Sequence, residues 1–562
     1  MSFQSIPVSS LCKVFPDGRK LQELTDRRLT GLKGETLSFQ IAYRLNGEDT
    51  QQGCVTAITP PCLRDHVRIR MVNLVPCEYP CNSRRDDDYL AIEPGMYPDR
   101  LSMIPKWGFP LVPGQWRSLW IDIALTESLE AGEYPIRFVL RRKQDVPCEE
   151  GIRCETELLS ETEIRCEVLD LALPKLPIPH TEWFHSDCLA QYYGVEVFSE
   201  RYWEIVEAFV QEAVKHKCNM LLTPVFTPPL DTVVGGERLT VQLVDVTVEG
   251  DRYRFGFDRF HRWVKMARSC GIEYFEISHL FSQWGAAAAP KIMAYKDGSY
   301  QQIFGWDTDS AGATYREFLH RFLTALKQEL QVLEITDRTY FHISDEPHRD
   351  QMESFRSAWA GVSQDLQDCM VIDALSDYAF YKEGLVQQPV CALDHIEPFL
   401  QKRPEHLWGY YCTGQCVAVS NRFIVLPGYR TRILGVQLYK YRLDGFLHWG
   451  YNFYNAQLSR YPIDPYRCTD AGSAFPSGDA FLVYPGKDGR PEGSIRLMLM
   501  DEAMTDYCAF IALEKLTDRE TVLSLIDTKK VTFDDYPREE AYLLGLRDKV
   551  NQAIREAIKT AG

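Results

Sequence analysis

The chain has 562 residues, 45% of them hydrophobic and 25% charged, values of an ordinary globular protein long enough to bury large cores without disulfides or structural metal. A net charge of -17 argues against a nucleic-acid or anionic-membrane partner, which would need a basic patch. No apolar run reaches the ~18 residues of a membrane span, no basic-then-apolar leader opens the sequence, and the 17 cysteines are scattered, so a cytoplasmic protein with reduced thiols is expected.

Residues 1–175 carry short alternating runs such as ETLSFQIAYRL (35–45), HVRIRMVNLV (66–75), SLWIDIAL (118–125), GEYPIRFVLRR (132–142) and TEIRCEVLDLAL (162–173). Pro, Gly and Asp/Asn clusters divide them, the pattern of an antiparallel β-sandwich. The proline-rich LPKLPIPHTEW (173–183) reads as a stiff connector. Beyond it the rhythm changes. Strand-like runs near 181–186, 219–225, 274–280, 339–345, 370–375, 390–396, 406–412 and 445–451 alternate with helix-period stretches at 199–216, 257–271, 313–330 and 349–366. The pattern predicts a (β/α)8 TIM-type barrel over 176–516. An open doubly wound sheet is the alternative, but no glycine-rich phosphate loop follows any strand. A hairpin is expected within 233–257 and a long loop at 290–310. SIRLMLMDEAMTDYCAFIALEKL (494–516) should pass from strand to helix, and 517–562 forms a helical extension ending in a helix over 539–560.

FHISDEPH (341–348) carries the sharpest chemical signal. Phe341 and Ile343 alternate with His342 and Ser344 as on a strand with one face toward the barrel helices. Asp345 and Glu346 then end that strand before Pro347, at the end where barrel enzymes place reacting groups. A regular strand would send the two carboxyls to opposite faces; a turn lets both reach one cavity. Cleaving a glycosidic bond requires an acid with a raised pKa and a second group to meet the oxocarbenium-like centre. Adjacent residues rarely span the roughly 5–5.5 Å between carboxyls of direct retaining enzymes. The pair better suits substrate assistance, in which Asp345 orients a 2-acetamido group and Glu346 is acid and then base. A capping Asp beside a surface Glu is the structural alternative.

Several further segments share an order with a known barrel: WFHSDCLA (183–190), TPPLDT (227–232), FEISHLFSQWGA (275–286), HISDEP (342–347), IDALSD (372–377), LWGYYC (407–412), NRF (421–423), GFLHWGYNFYN (445–455) and FPSGDAFLVYPG (475–486). From about Trp183 to Asp506 the chain resembles the barrel called domain of unknown function 4091 and is similar to glycoside hydrolase family 123. That resemblance implies a β-N-acetylgalactosaminidase with an adjacent Asp-Glu pair, here Asp345 and Glu346, using substrate assistance; the expected activity is that of an exo-acting β-N-acetylhexosaminidase on a small carbohydrate or glycoconjugate.

Other candidates surround the pair. Trp449, Tyr451 and Asn452 follow the eighth strand, and Trp408 and Tyr410 the seventh, where rings can stack on a sugar or pack a core. Tyr378 can donate to the acetamido oxygen. His185 and Asp187 can bind hydroxyls or pair structurally. His279 and Trp284 flank the third strand's loop. Arg422 reads first as a structural ion-pair partner and second as a ligand for a sugar carboxylate or hydroxyl. His185, Asp187, His279 and His448 lie on different strands, a poor metal pattern, and Cys412-x-x-x-Cys416 lacks a second pair, so neither metal nor cofactor is expected. Two rival readings stay open: a glycosidase without acetamido requirement, using Asp187, Asp307 or Asp373 as second carboxyl, and a non-catalytic carbohydrate-binding or scaffold protein. A homo-oligomer is compatible with either.

Overall fold

The computed structural model describes residues 2–19, 21–148 and 151–561. Its N-terminal region holds two five-stranded sheets. In the first, Ser2–Ser9, Thr36–Asn46, Trp116–Ala124, Val67–Cys77 and Gly95–Met103 lie side by side, antiparallel throughout. In the second, the order is Arg28–Lys33, Gly151–Ala172, Gly132–Cys148, Gln51–Ile58 and Phe109–Leu111. The period-2 pattern explains how they meet. Leu37, Phe39, Ile41, Tyr43 and Leu45 share one face of their strand and join Phe109, Ile136, Phe138 and Ile164 of the other sheet in one apolar cluster. Phe39 and Phe138 touch edge to face with centroids 5.5 Å apart.

Eight parallel strands then close into a barrel: His180–Glu182, Met220–Thr223, Tyr274–Ile277, Thr339–Phe341, Met370–Leu375, Gln388–Ala392, Trp408–Tyr410 and Gly445–His448. All eight fall within or beside the predicted runs. Apart from Met370–Leu375, which matches its run, each is shorter than its run, mostly because the C-terminal part of the run has left the sheet to form the rim. Helices separate them, and most of the long ones are amphipathic. Glu200–Lys215, for example, is capped by Ser199 and buries Tyr202, Ile205, Val206, Phe209, Val210 and Ala213 along one stripe. The barrel interior is filled by Trp183, Met220, Leu222, Ile372, Val390, Trp408, Tyr410 and Leu447. Phe341 and Ile343 face the helices, as expected, while His342 points inward to Glu276.

Two expectations change. The 290–310 segment is not a bare loop: Ile292–Lys296 and Ser299–Phe304 pair and join the hairpin Asp245–Glu249 and Arg252–Gly256 in a four-stranded sheet. The segment 494–516 contains no strand; Ile495–Leu516 is one helix. Its burial on nearly every side removes the amphipathic period, so its apolar start imitates a strand. This helix lies at the junction of the molecule. Arg496 at its start forks onto the buried Asp99 of the N-terminal region at 2.9 and 2.8 Å. Asp506 near its middle meets Arg547 at 3.1 Å, and Arg547 reaches Glu35 at 2.5 Å from the last helix, Glu540–Ala561.

Candidate active site

The fourth barrel strand stops at Phe341, and the residues beyond it are held by neighbouring loops rather than by a ladder. The amides of Ile343 and Ser344 both donate to Asp373 Oδ1 at 3.1 Å. Ser344 Oγ donates to the Ser282 carbonyl at 2.8 Å, the Trp284 amide donates to the Asp345 carbonyl at 2.9 Å, and the Glu346 amide donates to the Ala374 carbonyl at 3.1 Å. The turn closes with Glu346 at φ +41°, a left-handed conformation uncommon for a residue with a Cβ. Such strain persists where surrounding bonds enforce it. Here it resolves the geometric problem posed by two successive carboxyls: Asp345 and Glu346 line the same cavity.

That cavity, about 180 Å³, opens at the C-terminal rim of the barrel. Trp183, Trp284, Trp449 and Phe475 give it aromatic walls, and Asp231, Asp345 and Glu346 are its carboxyls. Tyr410 donates its hydroxyl to Glu346 Oε1 at 2.6 Å. The Cys412 thiol approaches the same oxygen at 3.8 Å. Burial, together with the negative charge of Glu346, raises the Asp345 carboxyl well above the usual range. Beneath the pair lies a buried chain. Glu276 accepts from Thr181 Oγ1 at 2.6 Å and from Trp183 Nε1 at 2.7 Å, and sits 2.5 Å from His342 Nε2. Asp373 stands 3.6 Å from the other nitrogen of that imidazole. Burial alone would depress His342, but the two carboxylates outweigh it and bring the imidazole to about 9.

Of the candidates read from the sequence, Asp345, Glu346, Trp284, Tyr410 and Trp449 line the cavity. The remainder lie elsewhere. His185 and Asp187 hold Arg238: Asp187 accepts from its Nε and Nη2 at 2.8 and 2.7 Å, and His185 Nδ1 lies 3.1 Å from Nη2. Asn452 exchanges two bonds with the His185 backbone. Arg422 is fully buried on Glu182, with both contacts at 2.7 Å. Tyr451 donates to the Phe209 carbonyl, and Trp408 packs inside the barrel against Tyr340. Tyr378 rests on Tyr381 and Phe399. His279 stacks on His342 with ring centroids 4.4 Å apart, and burial drives its pKa far down. Burial of long side chains at strand ends explains these positions: each polar tip found a protein partner or a packed ring before reaching the cavity.

Among the residues that escaped the sequence reading, Asp231 and Phe475 line the cavity, and Gln283 holds the Asp231 loop by accepting from its amide at 2.6 Å and donating to the Thr232 carbonyl at 3.1 Å. Their segments, TPPLDT, FPSGD and HLFSQW, are loops without hydrophobic period; a polar residue set among prolines and aromatics was the available signal. Asp479, fully buried behind the wall, accepts from Trp449 Nε1 at 2.9 Å and so fixes that ring. Among the described residues no group of three or more His, Cys, Asp or Glu side chains is arranged to hold a metal ion.

Comparison with known proteins adds to this geometry. The model of the glycoside hydrolase 123 catalytic domain matches residues 183–513, more than half of the chain. A solved structure of a family 123 glycoside hydrolase from Clostridium perfringens, studied for glycolipid glycan hydrolysis, aligns with all of this chain and 99% of that one. The two are 14% identical with a TM-score of 0.73, a likeness of fold. A structure of AvmM, which catalyses macrocyclization in alchivemycin A biosynthesis, aligns with 30% of this chain and 89% of its own at 11% identity and a TM-score of 0.16, too distant to bear on the fold. No curated protein matches the chain.

Proposed function

This chain belongs to glycoside hydrolase family 123 and is a glycoside hydrolase, and from that premise we propose that it releases terminal β-linked N-acetylhexosamine, galactosamine first, with the sugar's own acetamido oxygen as nucleophile. The observation that carries this reading is the turn at Glu346, which brings two successive carboxyls to one aromatic-walled cavity. Carboxyls that leave one turn together act from one side of a sugar. They suit an acid and an acetamido-orienting group better than a nucleophile and acid facing each other across the ring.

The steps are set by the side chains. Asp345 accepts the acetamido N–H, which turns the carbonyl oxygen onto the anomeric carbon. In the substrate complex the proton that the two coupled carboxyls share rests on Glu346, which gives it to the glycosidic oxygen as that bond breaks and the carbon–oxygen bond of an oxazolinium ion forms, its N–H still held by Asp345. The Glu346 carboxylate then takes a proton from water as that water attacks the same carbon and the carbon–oxygen bond to the acetamido oxygen breaks, restoring the acetamido group and returning the sugar with retained configuration. Tyr410, donating to Glu346 Oε1, fixes the carboxyl and leaves Oε2 for the leaving group. Aromatic walls meet the apolar face of the sugar and exclude water.

A second reading has its own observation: Asp231 lines the same cavity and can serve as the partner of Glu346 in a two-carboxyl mechanism. Hydrolysis of 4-nitrophenyl β-N-acetylgalactosaminide, β-N-acetylglucosaminide, β-galactoside and β-glucoside separates them. The proposal expects turnover of the acetamido sugars alone, with inhibition by a thiazoline analogue of the oxazoline. Comparable turnover of the parent sugars selects the second reading.

A further inference from the structure

Asp231 is built into the cavity with unusual care for a loop residue. Its backbone is left-handed at φ +40°. Its amide donates to Gln283 Oε1 at 2.6 Å, its carbonyl accepts from Ser459 Oγ at 2.7 Å, and its carboxylate Oδ2 accepts from the Leu458 amide at 2.8 Å. Oδ1 accepts nothing from the described residues, and the side chain lines the cavity with Asp345 and Glu346. None of the cavity-lining residues described is Lys, Arg or His. The two cations that influence Asp231, Arg238 and Arg460, stand outside: Arg238 is held by Asp187, and Arg460 is exposed. A hydroxyl hydrogen is the natural partner of a fixed carboxylate oxygen, and a polar group placed for a hydroxyl discriminates strongly against ligands that lack it. An anionic substituent in the same space would meet the Asp231 carboxylate and the charge carried by the Asp345–Glu346 pair, with no compensating cation, in a setting of weak screening.

We propose that Asp231 selects the sugar: its free oxygen accepts a hydroxyl hydrogen of the terminal hexosamine, and with Asp345 and Glu346 it makes the cavity admit neutral hexosaminides and refuse those bearing sulfate or carboxylate. The inference rests on the reading above for the identity of the sugar, and treats Asp231 as a binding group, not as a nucleophile. Burial raises the Asp231 carboxyl to about 6, so it is ionised at pH 7.5, where its acceptor role is tested.

The test compares wild type with Asp231→Asn on 4-nitrophenyl N-acetyl-β-galactosaminide, its 6-sulfate and its 4-deoxy and 6-deoxy analogues at pH 7.5. Asparagine tolerates left-handed backbone, so the loop is kept. The expected result is a rise in KM of about 10–100-fold on the neutral sugar, the range of a lost hydrogen bond to a charged group. The same substitution should narrow the preference for neutral over sulfated substrate, and should have no effect on whichever deoxy sugar lacks the recognised hydroxyl. A structural role would penalise every substrate alike, and that outcome overturns the proposal. Collapse of kcat with rescue by azide would make Asp231 a nucleophile and also overturns it. If wild type turns over none of these sugars, tryptophan fluorescence decides: binding of N-acetylgalactosamine that weakens in Asp231→Asn retains Asp231 as a selector while removing the catalytic reading, and absence of binding removes both.

Discussion

At the scale of single residues, the site turns on how two neighbouring carboxyls are made different. Glu346 receives the Tyr410 hydroxyl, whereas Asp345 is held at its backbone. Burial and the repulsion between the two carboxyls raise Asp345 and keep one proton on the pair, and in the proposed mechanism that proton rests on Glu346 once the acetamido N–H meets Asp345. Different environments imply different losses. Glu346→Gln should lose about 10²–10⁴-fold in kcat on sugars with poor leaving groups and much less on dinitrophenyl leaving groups, which need no proton. Asp345→Asn should fall on both classes, because it acts on the nucleophile. Steady-state kinetics on a leaving-group series checks this, and equal losses in the two variants would reject the division of roles. A second residue-scale consequence concerns Asp479. Burial raises its carboxyl to about 7. A carboxyl raised on folding contributes stability fully present below the unfolded value near 3.8 and lost as pH climbs through 7, at up to about 1.4 kcal/mol per pH unit. Asp479→Asn should keep the acceptor for Trp449 Nε1 without this loss. Urea unfolding at pH 5 and pH 8 should therefore show the variant gaining on wild type at the higher pH; a difference that ignores pH contradicts the assignment.

At the scale of elements, the loops after the barrel strands do the placing, and one ion pair sets their positions. Arg238 lies in the insertion after the second barrel strand, forks onto Asp187 from the first, and donates to the Leu230 carbonyl at 2.9 Å, one residue before Asp231. Arg238→Met leaves a buried carboxylate without its cation, a loss of about 3–5 kcal/mol. Thermal unfolding should show it, and the loosened Asp231 loop should raise KM more than it lowers kcat. An unchanged melting temperature would mean the pair does not brace the rim. Legibility in the sequence divides along the same line. The barrel strands were readable because each carries an apolar run between helix-period stretches, and Asp345 and Glu346 because they end one. The helix Ile495–Leu516 was not, since burial all round erases the period, nor was the pairing of 292–304 with the earlier hairpin, which joins segments distant in sequence. Trp408 and Tyr410 both turn into the barrel, but only the structure shows that Tyr410 reaches the cavity and Trp408 stops short.

At the scale of the whole molecule, the barrel is embedded, not appended. The first N-terminal sheet turns one face to its partner sheet and the other, through Trp120 and Asp99, to the helices around the barrel, while Arg547 links the last helix to both. A firm surround suits a site that must hold adjacent carboxyls on a left-handed turn, because such strain survives only in a framework that enforces it. The proposed mechanism has one central step, in which the substrate supplies its own nucleophile. The most direct measurement is kcat for 4-nitrophenyl β-galactosaminides whose 2-acetamido group carries zero, one, two or three fluorines. Fluorine withdraws electrons from the amide oxygen and weakens it as a nucleophile. Substrate assistance predicts a steep, monotonic fall in kcat along the series with little change in fold or in the binding of product. A flat series would contradict it and place the nucleophile on the protein.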